Sequence, residues 1–90
     1  MYEIVFHSRV IDDLKQIAPA IQKTVRKAIE GKLTTSPEVF GKPLQFSLKG
    51  VRSMRVGDYR VMFQMEKQVV KVILIGHRSS VYKEAKKRSL

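Results

Sequence analysis

Residues 69–75, Val-Val-Lys-Val-Ile-Leu-Ile, constrain this chain more than any other segment. Six of the seven are apolar and five are β-branched. Such a run reads as a strand, and as the most buried strand of its sheet. Two runs with period two precede it, over 51–56 and 59–65, with Gly57-Asp58 between them. Gly at the first central position of a two-residue loop predicts a type II′ hairpin. Near the start of the chain, Tyr2–His7 reads as a further short strand, with Ile4 and Phe6 on one face.

Between these strands the period is helical. Val10, Leu14 and Ile17 recur at i, i+4 and i+7, which predicts a helix over 9–17. Ser8 is placed as its N-cap, and Asp12 and Asp13 fall near its positive end. Ala18-Pro19 breaks the pattern. A second helix follows from Pro19 to about Leu33, with an apolar stripe of Ile21, Val25, Ala28, Ile29 and Leu33. Thr34-Thr35-Ser36-Pro37 ends the helical region, and the chain loops through Gly41-Lys42-Pro43. Val81–Arg88 predicts a short C-terminal helix whose Lys86, Lys87 and Arg88 suit its negative end. The order is β-α-α-β-β-β-α. It predicts one α+β domain over 1–90, with a twisted, mostly antiparallel four-stranded sheet, the helical hairpin on one face and the other face free.

Charge divides the chain. Residues 1–41 hold six basic and five acidic side chains, a net of +1, and residues 42–90 hold twelve against three, a net of +9. A basic half built on ordered strands points to a polyanion, most often nucleic acid. A solvated basic surface or an acidic protein partner would carry the same signature. The absence of cysteine excludes a disulfide scaffold, a thiolate zinc finger, a Cys nucleophile and an iron–sulfur site, and sits easily with a reducing cytoplasm. No apolar run reaches the roughly 18 residues of a membrane span. The start, MYEIVFHSR, carries Glu3 and no long apolar stretch, so it does not read as a signal peptide. Self-repulsion at +10 favours a monomer.

The hairpin fixes a register. With Gly57-Asp58 as a two-residue loop, Val56 faces Tyr59, Arg55 faces Arg60, Met54 faces Val61 and Ser53 faces Met62. Two arginines then stand opposite each other on one face, a destabilising pair of like charges. Such a broken local rule marks a functional site when something else supplies the partner. A phosphate is the natural partner for two guanidinium groups. Neutralisation by Asp58 or Glu66, or a different register, is the other reading. Arg78 follows the buried strand in Gly76-His77-Arg78-Ser79-Ser80, and Tyr82 comes four residues later. All four side chains converge if the end of that strand lies beside the hairpin.

No phosphate-binding loop, dinucleotide fingerprint or metal-ligand spacing is present. His7 and His77 read as structural or solvated. Ser53, Ser79 and Ser80 lack an obvious base, and Asp12-Asp13 reads as helix-start charge. RNA, however, carries its own nucleophile, the 2′-OH. An enzyme need only align it, take its proton and stabilise charge on the phosphate and the leaving 5′-oxygen. Arginines can stabilise that charge, and a tyrosine among cations can take the proton. Tyr82 reads equally well as an aromatic packing residue.

The segments GKPLQFSLKG, RSMRVGDYRVMFQ and ILIGHRSSVYKEA resemble the RelE branch of the RelE/ParE toxin superfamily over nearly the whole chain. The resemblance implies a microbial-RNase-like fold and a metal- and cofactor-independent endoribonuclease that cuts mRNA in the ribosomal A site. It also implies a cytoplasmic toxin with an acidic, partly disordered RelB-like antitoxin, touching operator DNA only through that complex. By position, Arg60 resembles the family's phosphate-stabilising arginine. Arg78 resembles the arginine that assists the leaving group or stabilises the transition state. Tyr82 resembles the tyrosine that activates the 2′-OH. Lys49, Arg52, Arg55, Lys83, Lys86 and Lys87 are the expected RNA- or phosphate-binding residues. A lysine pair known in the family just upstream on the hairpin strand is replaced here by Val51-Arg52-Ser53, with Lys49 and Arg52 as candidate substitutes. Two alternatives stay open: a ParE-like inhibitor of DNA gyrase, and a non-enzymatic module acting with its antitoxin.

Overall fold

The computed structural model describes residues 1–44 and 50–88. Its elements are β1 (Glu3–Phe6), α1 (Val10–Lys15), α2 (Pro19–Ala28) continued by a π-helical turn (Ile29–Leu33), α3 (Pro37–Phe40), β2 (Lys42–Pro43), β3 (Arg52–Val56), β4 (Tyr59–Glu66), β5 (Val69–His77) and α4 (Val81–Lys87). The sheet order is β1-β5-β4-β3-β2, with β1 parallel to β5 and every other pair antiparallel. The α+β class and the mostly antiparallel sheet are as the sequence predicts.

Three features differ from the expectation. The sheet has five strands, because Lys42-Pro43 pairs with Ser53 and Arg52 at the edge, where a proline costs no interior ladder bond. Pro37 opens a single helical turn where the pattern predicts only loop. The second sheet face is not free. α2 and its π turn, through Val25, Ile29 and Leu33, pack with Val10 and Ile17 on one face against Met54, Val61, Phe63, Val70, Val72 and Ile75. On the other face, Val81 and Ala85 of α4 close over Val51, Met62, Ile73 and Leu74. A strand as apolar as β5 requires cover on both sides, and α4 supplies the second.

Ser8 does not cap α1. The helix starts after Arg9 without a side-chain cap, and His7 Nδ1 instead accepts the Arg9 N–H at 3.1 Å. Asp13 is not mere helix-start charge either. β1 accompanies β5 only from Val69 to Val72, so the edge of β5 beyond that point has no strand beside it. Asp13 Oδ2 accepts the Ile75 N–H at 3.1 Å, and Arg88 Nη1 donates to the Ile73 carbonyl at 2.9 Å. The two side chains also join each other: Arg88 Nη1 donates to Asp13 Oδ2 at 3.0 Å and Nη2 donates to Oδ1. Arg88 Nε completes the set on Glu84 Oε2 at 3.2 Å. Both side chains of the pair are only 8% exposed. The hydrogen bonding to the Asp13 carboxylate is the main reason that the Arg88 guanidinium holds its proton more tightly than usual.

Two stability predictions follow from these contacts. Asp13→Ala takes the paired carboxylate from a buried guanidinium, leaves the Ile75 N–H without its acceptor, and should cost about 3–5 kcal/mol in chemical denaturation. A loss below about 1 kcal/mol would show that the pair is dispensable. In the β4–β5 turn, Lys67 takes φ = 55°, a left-handed conformation that penalises a Cβ. Lys67→Gly should therefore stabilise by about 0.5–1 kcal/mol and raise Tm by several degrees, whereas a lower Tm would contradict the strain.

Candidate functional site

The β3–β4 hairpin has the predicted register: Val56↔Tyr59, Arg55↔Arg60, Met54↔Val61 and Ser53↔Met62. Gly57 has φ = 60°, the positive value that the first central position of a type II′ turn requires. In a two-residue hairpin the second pair from the loop is a non-hydrogen-bonded one, with Cα atoms about 4.5 Å apart and side chains at their closest. Arg55 and Arg60 occupy that position, on the face that carries α4.

The turn itself arranges the arginines. Arg55 Nε donates to the Gly57 carbonyl at 3.1 Å, which draws its exposed side chain toward the loop. The Arg78 N–H donates to the Asp58 carbonyl at 2.8 Å, so the end of β5 is pinned beside the same turn. Arg78 Nε lies 3.5 Å from Asp58 Oδ1. That ion pair is about two-thirds exposed on both sides, so it contributes little to stability, but it orients the guanidinium. Asp58 thus neutralises Arg78 and not the Arg55–Arg60 pair. Arg60 is half-buried, and its side chain makes no hydrogen bond or ion pair among the described residues. A guanidinium so placed still needs acceptors.

Gly76 is the cross-strand neighbour of Arg60 and has no side chain for a reason. A Cβ there would lie 3.1 Å from Val81 Cγ2. The missing side chain lets the first turn of α4 settle on the sheet next to Arg60. Val81 and Ala85 point inward, so Tyr82, 44% exposed, and Lys86 share one flank of the helix. The other flank carries Lys83, Glu84 and Lys87, which line a separate cleft against α1. His77 completes the corner. Its ring meets Tyr59 edge-on at 5.3 Å between centroids, and its Nδ1 accepts the Ser79 N–H at 3.1 Å. That contact, with Ser79 Oγ 2.7 Å from the same nitrogen, shapes the turn carrying Arg78.

The predicted residues therefore separate. Arg55, Arg60 and Arg78 gather around one turn, and α4 begins beside them with Tyr82. Arg52 lies on the opposite sheet face, where its Nη1 donates to the Gly41 carbonyl at 2.8 Å. Lys49 lies outside the described residues. Asp58, Gly76 and the Asp13–Arg88 pair were not singled out for the site by sequence. The one signal for Gly76 was a glycine directly after the apolar run at 69–75, and nothing in the local pattern pointed to Asp13–Arg88. No group of three or more His, Asp or Glu side chains that could hold a metal ion occurs among the described residues. Arginines held around one turn, next to the helix that carries a tyrosine, are side chains of the types that bind a phosphodiester, neutralise charge on its oxygens and present a hydroxyl to it.

Comparison with known proteins agrees with this architecture. Residues 4–82 match the family described as the ParE toxin of type II toxin–antitoxin systems, parDE. The chain is 31% identical over 84 residues to toxin RelE of Mycobacterium tuberculosis, covering 91% of this chain and 87% of that one. It is 30% identical over 84 residues to toxin RelG of the same organism, covering 91% and 97%. Among solved structures it is similar to the toxin–antitoxin complex RelBE2 from Mycobacterium tuberculosis, with a TM-score of 0.79 at 30% identity over 86% of this chain and 98% of that one. The isolated RelE toxin of Escherichia coli superposes with a TM-score of 0.71 at 26% identity over 100% of both chains. A chain with this match over most of its length, this fold and this arginine corner belongs to the ParE toxin family of type II toxin–antitoxin systems, within the RelE/ParE superfamily.

Proposed function

We propose that this toxin is a ribosome-dependent endoribonuclease that cuts mRNA in the ribosomal A site by attack of the RNA's own 2′-OH. The observation that carries the reading is Arg60: half-buried, opposite Arg55, beside the anchored Arg78, and without an acceptor among the described residues. In this reading Arg60 receives the scissile phosphate and neutralises its non-bridging oxygens. Tyr82 takes the 2′-OH proton as the oxygen attacks phosphorus. Arg78 steadies the 5′-oxygen as its bond to phosphorus breaks. The leaving 5′-oxygen takes a proton from water, so the products are a 2′,3′-cyclic phosphate and a 5′-hydroxyl. The reaction needs alignment and charge stabilisation, which side chains of these types supply. Arg55 and Lys86 add positive charge on the same side of α4.

The partner in this reading is an acidic, RelB-like antitoxin. The toxin's +10 charge supports it, as do the similar toxins whose structures are antitoxin complexes. The toxin works in the cytoplasm, where its ribosomal substrate is, and meets operator DNA only through the antitoxin.

The test is mapping of cuts by primer extension on ribosomes programmed with an empty A site. Wild-type protein should give discrete A-site cuts. Arg60→Ala and Arg78→Ala should each lower the rate about 100- to 1,000-fold. Tyr82→Phe should lower it strongly with the fold intact by circular dichroism. Full cleavage by all three variants would overturn the residue assignment. The match to the ParE toxin family favours one second reading, the ParE-like inhibition of DNA gyrase. Loss of supercoiling activity with no RNA cut would establish that reading instead.

A further inference from the structure

A cleft of about 610 Å³ lies between α1 and α4, over the edge of β5 that β1 leaves uncovered. Its acidic side chains are already engaged. Asp13 and Glu84 are both bound to Arg88, and Asp12 faces Lys15 at 4.0 Å. Its other cations are not: Arg9 from the start of α1, and Lys83 and Lys87 from α4, have no ion pair among the described residues. All three are exposed. The charge left over in the cleft is therefore positive, although the lining holds nearly equal numbers of acids and bases. Lys83 and Lys87 stand at i and i+4, so they present two ammonium groups in a row along one wall. Tyr59, His77 and Ser80 line one end, where β5 runs out toward Arg78. The cleft and the arginine corner thus meet at the start of α4.

We propose that this cleft is a second RNA site, which holds the phosphodiester backbone of the single strand beyond the cleavage point through Arg9, Lys83 and Lys87. The proposal rests on the reading of the chain as an RNA-cutting toxin and adds the path of the strand. RNA bound at Arg60 passes over the N-terminal turn of α4 and enters the cleft beside His77. Point charges on flexible stems suit a backbone track without base preference, and the aromatic edge of the Tyr59–His77 pair offers a surface for a base. Arg9 is the informative residue, because it reaches the cleft from a different element and sits in the half of the chain that is nearly neutral.

The experiment is fluorescence anisotropy of a labelled single-stranded RNA oligomer against salt, with a dinucleotide and a duplex RNA as parallel probes. The variants are Arg9→Gln alone and Arg9→Gln, Lys83→Gln, Lys87→Gln together, surface changes whose folding is checked by circular dichroism. On a single strand each lost phosphate contact should reduce the slope of log affinity against log salt by about 0.7, and the triple variant by about 2. Dinucleotide binding should not change, because it does not reach the cleft. An unchanged oligomer slope in the triple variant overturns the proposal, as does a wild-type protein that binds no single strand. A slope that falls for duplex but not for single strand assigns the cleft to structured RNA and also overturns it. Because binding is read directly, intact Arg9-dependent binding without cleavage on ribosomes would count against the cutting reaction and not against the cleft.

Discussion

The ion pair between Asp13 and Arg88 is the contact on which the rest of the structure depends. β5 is an interior strand buried on both faces, yet β1 covers only the first part of one of its edges. Past Val72, the carbonyl of Ile73 and the N–H of Ile75 would face the gap between α1 and α4. Asp13 and Arg88 satisfy both and then each other, in effect replacing a strand by two side chains. Burial of such a pair is costly unless its hydrogen bonds are complete, and here Glu84 and the backbone complete them. The arrangement ties the first helix to the last and presses α4 onto the second sheet face. It thereby fixes where Tyr82 stands and which flanks of α4 are free.

The functional corner depends on that placement and on one turn. Gly57 permits the tight loop, its carbonyl draws in Arg55, and the backbone and carboxylate of Asp58 hold Arg78. Gly76 removes the side chain that would keep α4 away from Arg60. Each anchor is short-range and mostly main-chain, which suits a site that must keep several cations together before an anion arrives. The mutual repulsion of Arg55 and Arg60 is a stability cost that a bound phosphate would convert into affinity.

Much of this was legible in the sequence, for identifiable reasons. A two-residue loop sets the register of its hairpin, so the Arg55–Arg60 pair follows from Gly57-Asp58 alone. The apolar run at 69–75 announces a strand buried on both faces. Alternation along β3 also places Arg52 and Arg55 on opposite faces, and the helical period of α4 pairs Tyr82 with Lys86 and Lys83 with Lys87. Asp13 and Arg88 were not legible, since 75 residues separate them and each fits a helix-end role that local pattern favours. The cover of the second sheet face was missed for the same reason: α4 shows its apolar contacts only through Val81 and Ala85. The edge strand Lys42-Pro43 has no pattern to read, being two residues long.

The central claim is that the arginine corner lets RNA cut itself through its own 2′-hydroxyl. The most direct measurement is cleavage of a ribosome-bound mRNA carrying a single 2′-deoxy nucleotide immediately 5′ of the scissile phosphate, compared with the all-ribose message. The account predicts that cutting at that phosphate disappears while binding of the toxin to the ribosome persists. Cutting of the deoxy-substituted message at the normal rate would contradict it.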